Sequence, residues 1–179
     1  DLAVLPSAPT FFPLQEALLD AVAAEDQASW RAFLERYLQD LFAHALHPAT
    51  GLPNSWNPRT DARDDEHPSE IALPLGFLID VALEGPERFR AQARAAAQRI
   101  GDVVLAKGLL PDGNVAASYF PQDARLNLDV NPLRRFDVPC QMARLSALTK
   151  DPRYLEPARE ALAVFEFTHV WAGTWDQID

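Results

Sequence analysis

The sequence contains two stretches that align without a gap at an offset of 65 residues: PLGFLIDVALEGPERFRAQARAAAQRI (Pro74–Ile100) and PCQMARLSALTKDPRYLEPAREALAVF (Pro139–Phe165). In each copy a Gly-Pro or Asp-Pro pair separates two segments with helical apolar spacing. Proline suits the first position of a helix, because its missing N–H would have no partner there. A fixed period of this kind is typical of repeat proteins, whose neighbouring units bury each other's apolar faces.

Helical periodicity continues on the N-terminal side of this repeat, over Leu14–Val22 and Trp30–Phe42. Nearly all-apolar helices alternate with amphipathic ones, as an inner layer wrapped by an outer layer requires. We therefore predict an all-α array of three helical hairpins, at about residues 14–47, 69–107 and 139–170. These would form one helical-repeat domain over the whole chain and half of a ring of six hairpins, and no strand is predicted.

The composition bounds the class of protein. The chain has 179 residues, 48% of them hydrophobic, and a net charge of −10, which argues against nucleic acid and anionic membranes as partners. No apolar run approaches the roughly 18 residues that span a bilayer, so we expect a soluble protein. The chain begins at Asp1 rather than Met, so export after removal of a leader stays open. The single cysteine, Cys140, is predicted to be a small core residue.

Long loops between the hairpins collect acidic and aromatic residues. The first covers Gly51–His67 and the second Leu110–Asp137, and Ser55–Pro58 in the first matches Ser118–Pro121 in the second at an offset of 63 residues. A third loop opens at Trp171. Loops longer than about 15 residues are uncommon in compact domains and are usually functional or disordered. Their aromatic content favours an ordered loop face at one end of the array.

Asp64, Asp65 and Glu66 precede the third predicted helix, and Asp129 coincides with Asp64 at the 65-residue offset. One interpretation is catalytic: a glycosidase uses one protonated and one ionised carboxyl group. A second is a hard-cation site, although the spacing lacks the alternating ligands of an EF-hand loop. A third is structural, because acids near a helix N-terminus are favourable by about 0.3–1 kcal/mol.

The loops also offer groups that could hold a ligand. Trp56, Tyr119 and Trp175 are candidate platforms for the apolar faces of sugar rings. The alternative is that these aromatics pin the loops to the helix ends. Arg134 could grip a carboxylate or phosphate bidentately, or could simply neutralise neighbouring acids.

The turn Ala147-Leu148-Thr149-Lys150-Asp151-Pro152-Arg153-Tyr154-Leu155 resembles the inner-to-outer helix turn of the (α/α) toroid superfamily, which includes the six-hairpin glycosidases. The resemblance implies an (α/α)₆ toroid, of which this chain would supply half. Most members of that superfamily act on carbohydrates as hydrolases, lyases or epimerases. The recognisable turn is structural, so the resemblance assigns no functional residue and identifies no particular family.

These observations favour a carbohydrate-active enzyme of the glycoside hydrolase or polysaccharide lyase type, or the N-terminal part of one. The expected partners are an oligo- or polysaccharide and a second chain or further sequence that completes the ring. The sequence requires no cofactor, and we assign no residue as a metal ligand. The alternative is a non-catalytic helical-repeat scaffold that binds a protein partner along its groove.

Overall fold

The structure, a computed structural model, describes residues 24–127 and 136–165, most of which lie in helices. This confirms the helical part of the predicted fold. The first predicted helix, at 14–22, and the end of the third predicted hairpin, at 166–170, lie outside the described residues. The helices are α1 (Ala24–His44), α2 (Ala72–Glu84), α3 (Glu87–Val103, followed by a π-helical turn, Val104–Gly108), α4 (Asp137–Thr149) and α5 (Glu156–Phe165, preceded by a 3₁₀ turn, Pro152–Leu155).

Helix α2 is the centre of the core, as its nearly uninterrupted apolar sequence predicts. It packs against α3 and α4, and its residues Leu75 and Ile79 have no exposed surface. Burial of each such side chain is worth about 1.5–3 kcal/mol. The buried charged residue of this helix, Asp80, is paired with Arg144 of α4. A buried carboxylate needs such a partner, because removing a charge from water is costly.

The prediction that Cys140 belongs to the core is wrong, because this residue is exposed on α4. Met142 and Leu145 of the same helix are fully buried. Cys140 therefore lies at an exposed position of α4, which the apolar composition of the helix alone did not reveal.

The prediction of no strands is also wrong within the described residues, since the long loops contain five short strands in two antiparallel sheets. Each strand has only two or three residues, too few for an alternating apolar pattern to be visible in the sequence. The strands are β1 (Trp56–Asn57), β2 (Ala62–Arg63), β3 (Ser69–Glu70), β4 (Ser118–Phe120) and β5 (Arg125–Asn127).

The helices confirm the internal repeat. Helix α4 (Asp137–Thr149) begins and ends 65 residues after α2 (Ala72–Glu84), and Pro152 of the next turn follows Glu87 of α3 by the same interval. Each pair of helices is joined without an intervening loop. The repeating unit is thus a helical hairpin in which two residues separate the end of the first helix from the start of the next helical turn, in both copies.

The strands extend the repeat into the loops at an offset of 63 residues. In the hairpin β1–β2, Trp56 pairs with Arg63, and in the hairpin β4–β5 Tyr119 pairs with Leu126. Asp61 and Ala124, at equivalent positions in the two turns, both have left-handed backbone conformations, with φ of 54° and 56°. Two β-hairpins of the same register therefore lie at equivalent places between successive helices, β1–β2 before α2 and β4–β5 before α4.

The two long loops lie against each other, as predicted for a common loop face. Tyr119 donates its hydroxyl to the carbonyl of Pro53 at 2.8 Å, and Thr50 donates to the carbonyl of Pro121 at 2.5 Å. Strand β3, at the end of the first loop, pairs with β4 in the second. Strand β4 is consequently covered on both edges, whereas in the described part of the chain β1 has β2 as its single partner.

Candidate functional site

The hairpin β1–β2 and the residues after it surround an open depression of about 640 Å³. It brings together four of the predicted site residues, namely Trp56, Asp64, Asp65 and Glu66. The remaining polar lining supplies hydroxyl, amide, guanidinium and imidazole groups, from Ser55, Asn57, Thr60, Arg63 and His67. A pocket of this volume can admit a small ligand such as one or two sugar rings.

Trp56 forms one wall of the depression but is only 6% exposed. One face of its ring stacks on His44, with centroids 4.5 Å apart and planes 9° from parallel. The Nε1 of Trp56 donates a hydrogen bond to Asp61 Oδ1 at 2.9 Å. The stacked residue His44 is held in turn, because its backbone carbonyl accepts a hydrogen bond from Arg63 Nε at 2.8 Å. The ring is therefore rigidly held, and His44 occupies one of the two faces that a sugar platform would offer.

Asp64 accepts several hydrogen bonds from the residues that follow it. Its Oδ1 accepts hydrogen bonds from the backbone N–H groups of Glu66 (3.3 Å) and His67 (3.2 Å) and contacts His67 Nδ1 at 3.0 Å. Hydrogen bonding from the His67 ring is the main reason that the pKa of Asp64 lies below its usual range. The same hydrogen bond, aided by the Asp64 charge, raises the pKa of His67. Asp64 is consequently ionised at neutral pH.

Asp65 accepts a hydrogen bond from the buried residue Asn54. Asn54, which has no exposed surface, donates its Nδ2 to Asp65 Oδ1 at 2.7 Å, and His47 Nε2 lies 3.8 Å from the same oxygen. The Oδ1 atom of Asn54 is also buried and accepts no hydrogen bond from the residues that the structure describes. Buried amide oxygens normally accept a hydrogen bond, so the unpartnered Oδ1 of Asn54 is an exception to the usual pattern.

The lowered pKa of Asp64 bears on the chemical role that this acid could play. A general acid in glycoside cleavage needs a carboxyl group that stays protonated, which requires a raised pKa. Asp64 has the opposite perturbation, so it suits the role of base, nucleophile or electrostatic stabiliser. The acid role would then fall to Asp65, Glu66 or Asp129, of which Asp129 lies outside the described residues.

The other predicted ligand-binding residues do not line the depression. Tyr119 is fully buried, its hydroxyl is engaged with Pro53, and burial raises its pKa far above the usual value. Its ring offers no face to a sugar and instead holds the two long loops together. Arg134 and Trp175 lie outside the described residues.

The two alternative interpretations of the acids find little in the structure to favour them. Helix α2 begins at Ala72, after β3, and its first turn holds no acid, so Asp64, Asp65 and Glu66 do not cap it. Within residues 24–127 and 136–165, no group of three His, Cys, Asp or Glu side chains is placed to hold a metal ion.

Sequence reasoning missed Asn54 and His67. The spacing of Asp64 and His67, three residues apart, is a signal that could have revealed the side-chain-to-backbone turn between them. Asn54 gave no comparable signal, because its role depends on burial between loops that are distant from the helical repeat.

Comparisons with protein-family models, with curated proteins and with solved structures give no match to this chain. None of the described helices is both long and apolar enough to cross a bilayer.

Proposed function

We propose that the chain is a carbohydrate-active enzyme of the glycoside hydrolase or polysaccharide lyase type, or the N-terminal part of one, and that the depression beside β1–β2 is its sugar site. The observation that carries the proposal is the meeting of three predicted acids, an aromatic wall and several neutral hydrogen-bonding groups in one open depression. Sugar sites need this mixture, because a sugar ring combines apolar C–H faces with many hydroxyl groups.

The repeated helical hairpins and the turn at Ala147–Leu155 support the same proposal. In a toroid the loops of successive hairpins surround a common centre, and the first two long loops here are in direct contact. In this proposal the chain supplies half of a ring, which a second chain or further sequence completes.

Asp64 carries the role of the ionised carboxylate in this proposal. Its hydrogen bonds to two backbone N–H groups and to His67 fix its orientation, so it need not reorganise when a substrate binds. Asp65 is a second carboxylate held in a fixed position, because its Oδ1 accepts a hydrogen bond from Asn54 Nδ2. Glu66 and Asp129 complete the predicted set of catalytic acids.

The experiment is a panel of soluble glycans, assayed for new reducing ends and for the unsaturated products of a lyase. The variants Asp64→Asn, Asp65→Asn and Glu66→Gln keep the size of each side chain and remove its charge. Loss of a catalytic carboxylate should lower kcat/KM by at least about 100-fold, in line with the usual value of acid–base groups.

Glu160→Gln is the matched control, because Glu160 is an exposed acid of α5 that does not line the depression. It should retain full turnover. If a glycan is turned over and neither the three variants nor Asp129→Asn lower the rate, the assignment of these acids is rejected.

The second candidate is a non-catalytic scaffold that binds a protein partner. The specific observation in its favour is the repetition of the helix–hairpin unit, since repeat proteins often bind along the surface that successive units form. This candidate predicts neither turnover nor binding with any glycan of the panel.

A further inference from the structure

His67 lines the depression and is held there through one nitrogen of its ring. Its Nδ1 lies 3.0 Å from Oδ1 and 3.1 Å from Oδ2 of Asp64. Within residues 24–127 and 136–165, all hydrogen bonds of the ring use this nitrogen. The side chain is 75% exposed, so a ligand or water in the depression can reach the second nitrogen, Nε2.

Asp64 fixes which nitrogen of His67 carries the proton. The Asp64 carboxylate is ionised and can only accept hydrogen bonds, so Nδ1 is the donor of this pair. In the neutral ring the lone pair is then on Nε2, because each ring nitrogen takes the role that the other leaves to it. An imidazole oriented by a third group in this way can take a proton from a nucleophile.

The other two histidines that the structure describes do not offer this arrangement. The side chain of His47 is only 12% exposed, its Nδ1 accepts a backbone N–H at 3.3 Å, and its Nε2 lies 3.8 Å from Asp65. The ring of His44 stacks on Trp56. Neither His44 nor His47 lines the depression, so the position of His67 is not a general property of the histidines in this loop region.

The same hydrogen bonds leave Asp64 less suited than His67 to take a proton or to attack carbon. Both oxygens of Asp64 face His67 Nδ1, and Oδ1 also accepts the backbone N–H groups of Glu66 and His67. The His67 hydrogen bond holds the pKa of Asp64 below its usual range and raises the pKa of His67. A general base works best when its pKa is near the working pH, so the imidazole is the better proton acceptor of the pair at neutral pH.

Resting on the proposed function, we infer that His67 is the general base of a glycoside hydrolase site and that Asp64 is the residue that positions it. Nε2 takes a proton from water while the water oxygen bonds to the anomeric carbon. The glycosidic C–O bond breaks, its electron pair goes to the leaving oxygen, and one of the other predicted acids protonates that oxygen. Water attacks directly, without a covalent sugar–enzyme intermediate, so the anomeric configuration is inverted.

The pH dependence of kcat/KM tests this base in the unmodified chain. The base must be unprotonated, so kcat/KM should rise with pH and level off above the raised pKa of His67, which lies above 6.5. Asp64 and Glu66 are the charged groups that act on this ring and both raise its pKa, while Arg63 and Asp65 also line the depression. A carboxylate base would instead give a limb near a pH of about 4. Asp64→Asn should lower the rate and move the limb towards 6.5.

Substitution of His67 separates a lost base from a lost hydrogen bond. His67→Ala should lower kcat by at least about 100-fold with little change in KM, because a general base acts in the transition state. Added imidazole should restore part of the rate, since the exposed position can admit a free base. His67→Gln can still donate to Asp64 but cannot take a proton, and it should be as slow as His67→Ala.

Asp151→Asn is the matched control. Asp151 also has a lowered pKa, through its hydrogen bond with Arg153, but it does not line the depression. This variant should keep both the rate and the pH profile of the unmodified chain.

NMR of the first product formed should show an inverted anomeric configuration. The inference is overturned if His67→Gln keeps the unmodified rate, if imidazole leaves His67→Ala as slow as before, if the limb lies near the carboxyl value, or if the product is retained or unsaturated. In all of these cases a glycan is still turned over, so the carbohydrate proposal stands. Absence of turnover with every glycan of the panel overturns both.

Discussion

One carboxylate oxygen of Asp64 accepts hydrogen bonds from two backbone N–H groups and contacts the ring of His67. The His67 hydrogen bond lowers the pKa of Asp64 from 3.8 and raises the pKa of His67 from 6.5. A lowered carboxyl pKa stabilises the fold above 3.8 and loses that effect as pH falls through the lowered value. A raised imidazole pKa stabilises the fold below 6.5 and loses that effect as pH rises through the raised value. The pair therefore contributes fully between those two limits.

The Asp64→Asn variant should lower the pKa of His67 towards 6.5, because it removes the partner that favours the charged ring. An NMR titration of the His67 ring signals measures this directly. Glu66→Gln is the matched control and should lower the pKa less, since Glu66 acts only through a weaker Coulombic effect. An unchanged His67 titration in Asp64→Asn would show that the two side chains are not paired in solution.

The candidate site could be predicted only in part at this scale. Asp64, Asp65 and Glu66 stand out in the sequence because three adjacent acids precede a buried helix. The burial of Tyr119 and the contact between Asn54 and Asp65 could not be predicted, because both depend on how two loops meet after folding. Such tertiary contacts have no local signature in the residues that make them.

Among the elements, α3 contacts Leu145 of α4 at Gly101, a position where α3 has no side chain. A Cβ atom on Gly101 would overlap the side chain of Leu145 and lie 2.8 Å from Cε1 of Tyr154. Leu145 and Tyr154 are both buried, so neither can move aside cheaply. Gly76 of α2 has a different surrounding, because its Cβ would lie 3.0 Å from Oε1 of Gln141, at the end of a flexible side chain.

Gly101→Ala should therefore lower the free energy of unfolding by about 1–3 kcal/mol, the usual cost of overpacking a core. Gly76→Ala should change it by less than about 1 kcal/mol, because Gln141 can rotate and alanine favours the helix. Urea unfolding measures both differences, provided that the dependence of the free energy of unfolding on urea concentration is the same in each variant. Equal losses of stability in the two variants would contradict the close contact between α3 and Leu145.

Sequence patterns predicted the helices better than the strands for a physical reason. Helix α3 repeats its apolar positions over several turns, so its periodicity is strong and its neighbour α2 is recognisable by continuous apolarity. Strands β1 and β4 have two and three residues and acquire their geometry from backbone pairing with other loop segments. The 63-residue match between Ser55–Pro58 and Ser118–Pro121 was the sequence's one indication of this shared hairpin.

Across the whole molecule, the two equivalent helices α2 and α4 have unequal surroundings. Leu75 and Ile79 of α2 are fully buried, whereas their equivalents at the 65-residue offset, Cys140 and Arg144 of α4, are exposed. The exposed Arg144 pairs with Asp80 of α2, whereas its equivalent Ile79 belongs to the hydrophobic core. The repeat is therefore regular in its backbone while its outermost described unit presents a different surface.

The exposure of Cys140 predicts that a small thiol reagent labels the native protein. One equivalent should react per chain without denaturant, since Cys140 is the single cysteine of the sequence. The measurement is absorbance or mass after labelling under native conditions, with Cys140→Ser as the unreactive control. Labelling that requires urea would mean that this side of α4 is covered in solution.

The edge of β1 that carries no described partner strand has one further consequence. Open strand edges can recruit copies of themselves and so lead to aggregates. Here β1 is only two residues long and is followed at once by Pro58, which has no N–H to donate. An approaching chain would find too few hydrogen-bonding groups to extend the sheet, so the hairpin resists growth into fibrils even though its edge is open.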